Sequence, residues 1–159
     1  MKTPFILDTL CDAALALVYP QPCAACKTAS VERRADAPAC AACWSRTRIF
    51  SGSDTLCWKC GAPSHGSVPE EKFEAVRCRR CEPETFTAAR ACGVYEGALR
   101  AAVLSLKREP HVAGRLAGLL LETQKRTPLS AATLIMPVPL HRERERERGF
   151  NQATLLGRA

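Results

Sequence analysis

No stretch of the 159 residues approaches the roughly 18 consecutive apolar side chains that a membrane-spanning helix needs, so no transmembrane segment is expected. No export signal is expected either. Met1-Lys2-Thr3-Pro4 is only weakly basic, the apolar stretch after it is interrupted by Asp8 and Asp12, and no small-x-small cleavage site follows. Nor are there enough cysteines for a dense disulfide scaffold: ten occur, and eight of them sit in regular pairs. Together these absences point to a reducing, cytoplasmic compartment, where paired cysteines bind metal more often than each other. A large basic charge is also missing once the cysteines are counted properly. Four thiolates around one zinc ion leave two negative charges, so two such sites lower the formal +7 to +3. Nucleic-acid binding cannot be argued from that balance. With 47% hydrophobic residues the chain has the composition of an ordinary globular protein.

The chain divides into three parts. Residues 1–19 are expected to form an amphipathic N-terminal helix, because Leu7, Leu10, Cys11, Ala14, Leu15 and Val18 recur at helical spacing and Tyr19-Pro20 ends the pattern. Residues 20–84 are rich in Cys, Pro, Gly and Ser and cannot bury much apolar area, so they need a staple. From Thr87 the texture becomes that of an α/β domain. Strands are expected at 89–95 and 133–138, helices at 97–108 and 112–125, and a last helix from about Phe150. Leu99, Val103 and Leu106 should share one helix face, and Leu116, Leu119 and Leu120 another.

The staple is legible in the pairs Cys23/Cys26, Cys40/Cys43, Cys57/Cys60 and Cys78/Cys81. Two intervening residues let a tight turn aim both sulfurs at one metal, and two such turns close a tetrahedral zinc site with no position left for water. Thirteen residues separate the first two pairs and 17 the last two, spacings that suit two facing knuckles per site. In Cys57-Trp58-Lys59-Cys60-Gly61 the glycine suits the left-handed backbone of a knuckle turn. The expected ligand sets are therefore Cys23, Cys26, Cys40 and Cys43, then Cys57, Cys60, Cys78 and Cys81. Interleaved pairing is the alternative, and an iron–sulfur cluster or redox dithiols are the rival chemistries. Closed four-thiolate sites imply two structural zinc ions and no zinc catalysis. Cys11 and Cys92 stand alone on apolar stretches and read as buried small hydrophobes. His65 reads as an exposed loop residue.

The knuckles also carry Trp58, Lys59, Arg77, Arg79 and Arg80, an aromatic and four cations of the kind that stack on bases and meet phosphates. The competing reading is a solvated ribbon surface. Further on, Leu134-Ile135-Met136-Pro137-Val138-Pro139-Leu140 leads into His141-Arg142-Glu143-Arg144-Glu145-Arg146-Glu147-Arg148-Gly149-Phe150-Asn151-Gln152. The Arg/Glu alternation nets only +1 and reads as a solvated, mobile loop. Gly149 and Asn151 differ, since glycine before a helix start admits an anion and asparagine can cap.

At these residues the chain resembles the ComF family of competence-associated proteins, a double zinc ribbon ahead of a phosphoribosyltransferase-like domain. The likeness runs from Tyr19-Pro20-Gln21-Pro22-Cys23 through the four cysteine pairs. It continues in Gly93-Val94-Tyr95-Glu96-Gly97-Ala98-Leu99-Arg100, Leu106-Lys107, Pro137-Val138-Pro139 and Arg146-Glu147-Arg148-Gly149-Phe150-Asn151-Gln152. It implies that residues 87–159 are the incomplete N-terminal part of an α/β phosphoribosyltransferase-like domain, with Arg148, Gly149, Asn151, Gln152 and Lys107 as phosphate contacts. It also implies an accessory role in DNA uptake or natural transformation. One alternative is the first part of a phosphoribosyltransferase enzyme of nucleotide metabolism. Another is a zinc-ribbon adaptor for a protein, such as a DNA-uptake component, or for single-stranded DNA. The family's later acidic motif and Thr-Gly loop have no counterpart, since no aspartate follows Asp54. The chain is thus expected to be truncated and to lack transferase turnover of its own. Mg²⁺ and phosphoribosyl diphosphate would be ligands only of a complete, active domain.

Overall fold

The computed structural model describes residues 14–16 and 18–159. Most of the expected N-terminal helix, Cys11 included, lies outside the described residues. Its described end is helical, and the Tyr19 N–H donates to the Leu15 carbonyl.

Five helices follow, here α1 (Ala41–Arg46), α2 (Gly97–Ser105), α3 (Gly114–Gln124), α4 (Arg142–Arg148) and α5 (Gln152–Arg158). Short 3₁₀ segments lie at Arg34–Asp36, Glu70–Ala75, Arg79–Cys81 and Leu129–Ala131. The sequence of α2 explains its formation: Ala, Leu and Arg are strong helix formers, and Pro110 bars continuation. The expected helices at 97–108 and 112–125 are therefore present, the first ending earlier and the second shorter at both ends. The Arg/Glu run expected as a loop is instead helix α4, whose opposite charges meet at i,i+3 in Arg144 and Glu147.

No strand occurs among the described residues, which corrects the two strands expected at 89–95 and 133–138. Three isolated antiparallel bridges occur among the described residues, Pro22 with Ser30, Ile49 with Gly93 and Leu56 with Pro63, and of these Ile49 with Gly93 alone touches an expected strand. At 133–138 the backbone lacks any ladder, and Leu134, Ile135, Met136 and Val138 are 66–79% exposed. Pro137 and Pro139 remove alternate donors there, which weakens any pairing. In the other stretch, Ala89 donates to the Lys59 carbonyl and Cys92 accepts from Phe50, so its polar groups are spent on single links.

The chain forms two compact units. One comprises the described residues up to Arg48 with Tyr95–Gly118 and Leu134–Ala159; the other comprises Ile49–Val94 and Leu119–Thr133. In the first unit the core is a small-residue face: Ala98, Leu99, Ala101, Ala102 and Leu106 of α2 and its end, with Val31, Ala39, Trp44, Ala113 and Leu116. Helix α1 packs on α2. Thr47 fixes that contact twice, its hydroxyl donating to the Cys43 carbonyl (2.8 Å) and accepting from the Ala98 N–H (2.9 Å). Gly97 is required beside it, since a Cβ there would come 2.7 Å from the Thr47 hydroxyl. Trp44 is buried, donates its indole N–H to the Asp36 carbonyl (2.7 Å), and lies under the Arg115 guanidinium. Arg115 in turn pairs with the Asp36 carboxylate at 2.9 Å.

The second unit has little core. Among its described residues Phe50 is the one buried apolar side chain that is not a cysteine of a Cys-x-x-Cys pair. Arg90 does much of the bracing: its guanidinium donates to the carbonyls of Trp58, Ala89 and Thr127 and lies 4.7 Å from the Trp58 ring centre.

Candidate metal centres

Each centre is built from one knuckle and one helical turn. In the first, Cys23 N–H donates to the Ala29 carbonyl and Lys27 N–H to the Cys23 carbonyl, which curls the chain around Cys23 and Cys26. In the second, Cys57 N–H donates to Ala62 and Gly61 N–H to Cys57, giving the same curl. The other pair of each centre does not form the facing knuckle that the spacing suggested. Cys40 caps α1, so Cys43 sits on that helix's first turn, and Cys78 opens the 3₁₀ turn that ends with Cys81. A helical turn brings residues three apart onto one side, and so meets the same geometric demand.

The pairing is sequential, with Cys23, Cys26, Cys40 and Cys43 in one cluster and Cys57, Cys60, Cys78 and Cys81 in the other. Within each, all sulfurs lie within 4.8 Å of one another. Four thiolates at a Zn–S distance of about 2.3 Å stand about 3.8 Å apart at the corners of a tetrahedron. The closest sulfurs match that edge: Cys23 to Cys43 at 3.8 Å, Cys57 to Cys81 at 3.6 Å, and Cys78 to both Cys60 and Cys81 at 3.5 Å. Amide donors complete the fit, with Cys26 and Cys40 N–H reaching the Cys23 sulfur and Cys78 N–H reaching the Cys57 sulfur at 3.3–3.5 Å.

Burial first, then hydrogen bonding among the thiols and last charge repulsion, keeps each cluster from ionising fully when no cation is bound. The Thr28 hydroxyl, then the N–H groups of Thr28 and Ala29, bring Cys26 down to about 6. Burial and the hydrogen bonds with Cys40, Cys23 and Cys26 push Cys43 up to about 12. Burial raises Cys57, but N–H groups of Cys60, Cys78 and Lys59 outweigh it and leave the thiol at about 6. Burial, with hydrogen bonds to Cys78, Cys57 and Cys60, pushes Cys81 up to about 12. A divalent cation removes the conflict by neutralising thiolates that cannot otherwise coexist.

The other candidate residues fall elsewhere. His65 is exposed and belongs to neither cluster, and Cys92 is half-buried, with burial raising its thiol. Trp58 is half-buried with Arg90 over its ring; Lys59 donates to the carbonyls of Glu82 and Glu84, and Arg77 to those of Glu74 and Val76. Arg79 and Arg80 are exposed on the turn between the last two ligands. Arg148, Gly149, Asn151 and Gln152 come together at the corner between α4 and α5, where Gly149 is left-handed (φ 76°). Asn151 caps α5 by accepting from the Ala153 N–H (2.8 Å) and donates to the Val138 carbonyl (3.0 Å). Lys107 is exposed just beyond α2. Sequence reasoning missed the Asp36–Arg115–Trp44 arrangement, whose members lie up to 79 residues apart with no local pattern.

Fold and centres together define a zinc-binding protein with two closed, structural four-thiolate sites. Residues 14–82 match the family described as Double zinc ribbon domain, a span that holds all eight ligands. No curated protein and no solved structure matches the chain. No helix among the described residues is long and apolar enough to cross a membrane.

Proposed function

We propose that the chain is a ComF-like accessory protein for DNA uptake in natural transformation, with its zinc ions serving as staples ahead of a phosphoribosyltransferase-like segment. The order of parts carries the proposal. Two closed thiolate centres within residues 14–82 precede the Arg-Gly-Phe-Asn-Gln string at 148–152. A closed centre has no free coordination position for water or substrate, which supports scaffolding over zinc chemistry.

Deleting the gene from a naturally transformable host that carries it should lower the frequency of transformants. The wild-type chain should restore that frequency and the Cys57→Ser chain should not. An undiminished frequency in the deletion strain would contradict the proposal. The transferase reading places Arg148, Gly149, Asn151, Gln152 and Lys107 around a sugar phosphate. Turnover of phosphoribosyl diphosphate by the purified chain, lost in Arg148→Ala, would replace the accessory role with that one.

A further inference from the structure

The two centres offer the same four sulfurs to a metal, but they stand in different surroundings. Cys23 and Cys40 are buried among side chains that would pack without any metal: Val31, Ala39 and Trp44, with α1 held on α2 through Thr47 and Ala98. The residues between the ligands of that centre are all alanine, in Cys23-Ala24-Ala25-Cys26 and Cys40-Ala41-Ala42-Cys43. Around the second centre, Phe50 is the one buried apolar side chain other than the ligands among the described residues of its unit. Its ligand turns carry Trp58-Lys59 and Arg79-Arg80, and both arginines are exposed.

Metal affinity in small modules includes the cost of folding the site. A centre whose walls are already packed meets little of that cost, whereas one held by its metal alone meets nearly all of it. Access does not separate the centres, since each holds two buried and two half-buried thiols, the latter being Cys26 and Cys43 in the first and Cys60 and Cys78 in the second. In the second centre the half-buried sulfurs of Cys60 and Cys78 are direct neighbours, 3.5 Å apart, and belong to different turns.

We propose that the second centre is an oxidant-sensitive switch that releases its zinc to hydrogen peroxide while the first centre keeps its own. The thiolate of Cys60 or Cys78 attacks the peroxide; the O–O bond breaks, the sulfur becomes a sulfenic acid, and the departing hydroxide takes a proton to leave as water. The neighbouring thiolate then attacks that sulfur, forms the Cys60–Cys78 disulfide and expels a second water after protonation. Two thiolates are oxidised by two electrons and one peroxide is reduced to two waters. Zinc, left with two thiolates, departs, and the turn bearing Arg79 and Arg80 loses its anchor.

The test uses the full zinc-loaded chain, hydrogen peroxide, a chromogenic zinc chelator and peptide mapping without reduction. One zinc per chain should leave in a first phase together with the Cys60–Cys78 disulfide. The second ion should follow more slowly by about tenfold or more, the ratio that ~1.4 kcal/mol of unequal folding cost gives. Leu99→Ala, which removes a buried side chain from α2 in the first centre's unit, should bring the two phases together by hastening the slow one. Simultaneous loss of both ions from the wild type, or earlier oxidation of Cys23, Cys26, Cys40 or Cys43, would overturn the proposal. So would a Leu99→Ala chain whose slow phase is unchanged.

Discussion

Lys27 and Gly61 hold equivalent places, one residue beyond the second cysteine of a knuckle, and both take left-handed backbone (φ 62° and 71°). Glycine does so freely, while a residue with a Cβ loses roughly 1–2 kcal/mol. Lys27→Gly should therefore stabilise the first knuckle by about 0.5–1 kcal/mol after glycine's extra chain entropy is subtracted. Gly61→Ala should do the reverse, since its Cβ would lie 2.9 Å from the Ala89 carbonyl and 3.3 Å from the Ala91 nitrogen. Denaturant midpoints of the zinc-loaded proteins check both signs, and a destabilised Lys27→Gly chain would contradict the comparison. The thiols supply a second test at this scale. In the metal-free clusters Cys43 and Cys81 are held protonated up to about 12, whereas zinc needs them as thiolates. Binding then releases at least one proton per ion, so affinity rises with pH and falls on acidification. Between pH 6 and 8 the dissociation constant should grow about tenfold or more for each unit of acidification. Competition with a chelator of known affinity at several pH values measures it, and a flat profile would contradict the assignment of those thiols.

At the scale of elements, the sequence was a good guide where one short stretch decides the outcome. The ligand pairs, the left-handed Gly61 and helices α2 and α3 all follow from neighbours a few residues apart. It was a poor guide where distant partners decide. Residues 133–138 have the apolar texture of a strand, but a strand exists only when another edge supplies its hydrogen bonds, and proline at 137 and 139 removes donors on this one. The second pair in each centre was equally ambiguous, because a knuckle and a helical turn both bring Cys-x-x-Cys sulfurs together. Asn151 shows how one side chain can join two elements, capping α5 while holding the Val138 carbonyl. Asn151→Ala should cost about 1 kcal/mol in the stability of α5. Hydrogen exchange at Ala153, Thr154 and Leu155 should quicken while the exchange of α2 stays unchanged. Unaltered protection at those amides would show that the cap does not hold the helix.

For the whole molecule, the claim on which the rest depends is that two zinc ions, each in four thiolates, organise residues 14–82. Unit two has so little apolar burial that its metal must supply much of its folding free energy, on the order of 10 kcal/mol for such sites. Removing one ligand should accordingly remove one ion and the local fold around it. Cys57 is the sharpest choice, since its sulfur accepts the Cys78 N–H and adjoins Cys81. The direct measurement is elemental analysis of the purified full chain beside its Cys57→Ser variant. The account predicts close to two zinc ions per wild-type chain, one in the variant, and no visible absorbance from iron. Iron in place of zinc, a wild-type content near one or none, or two ions retained after the Cys57 change would contradict it.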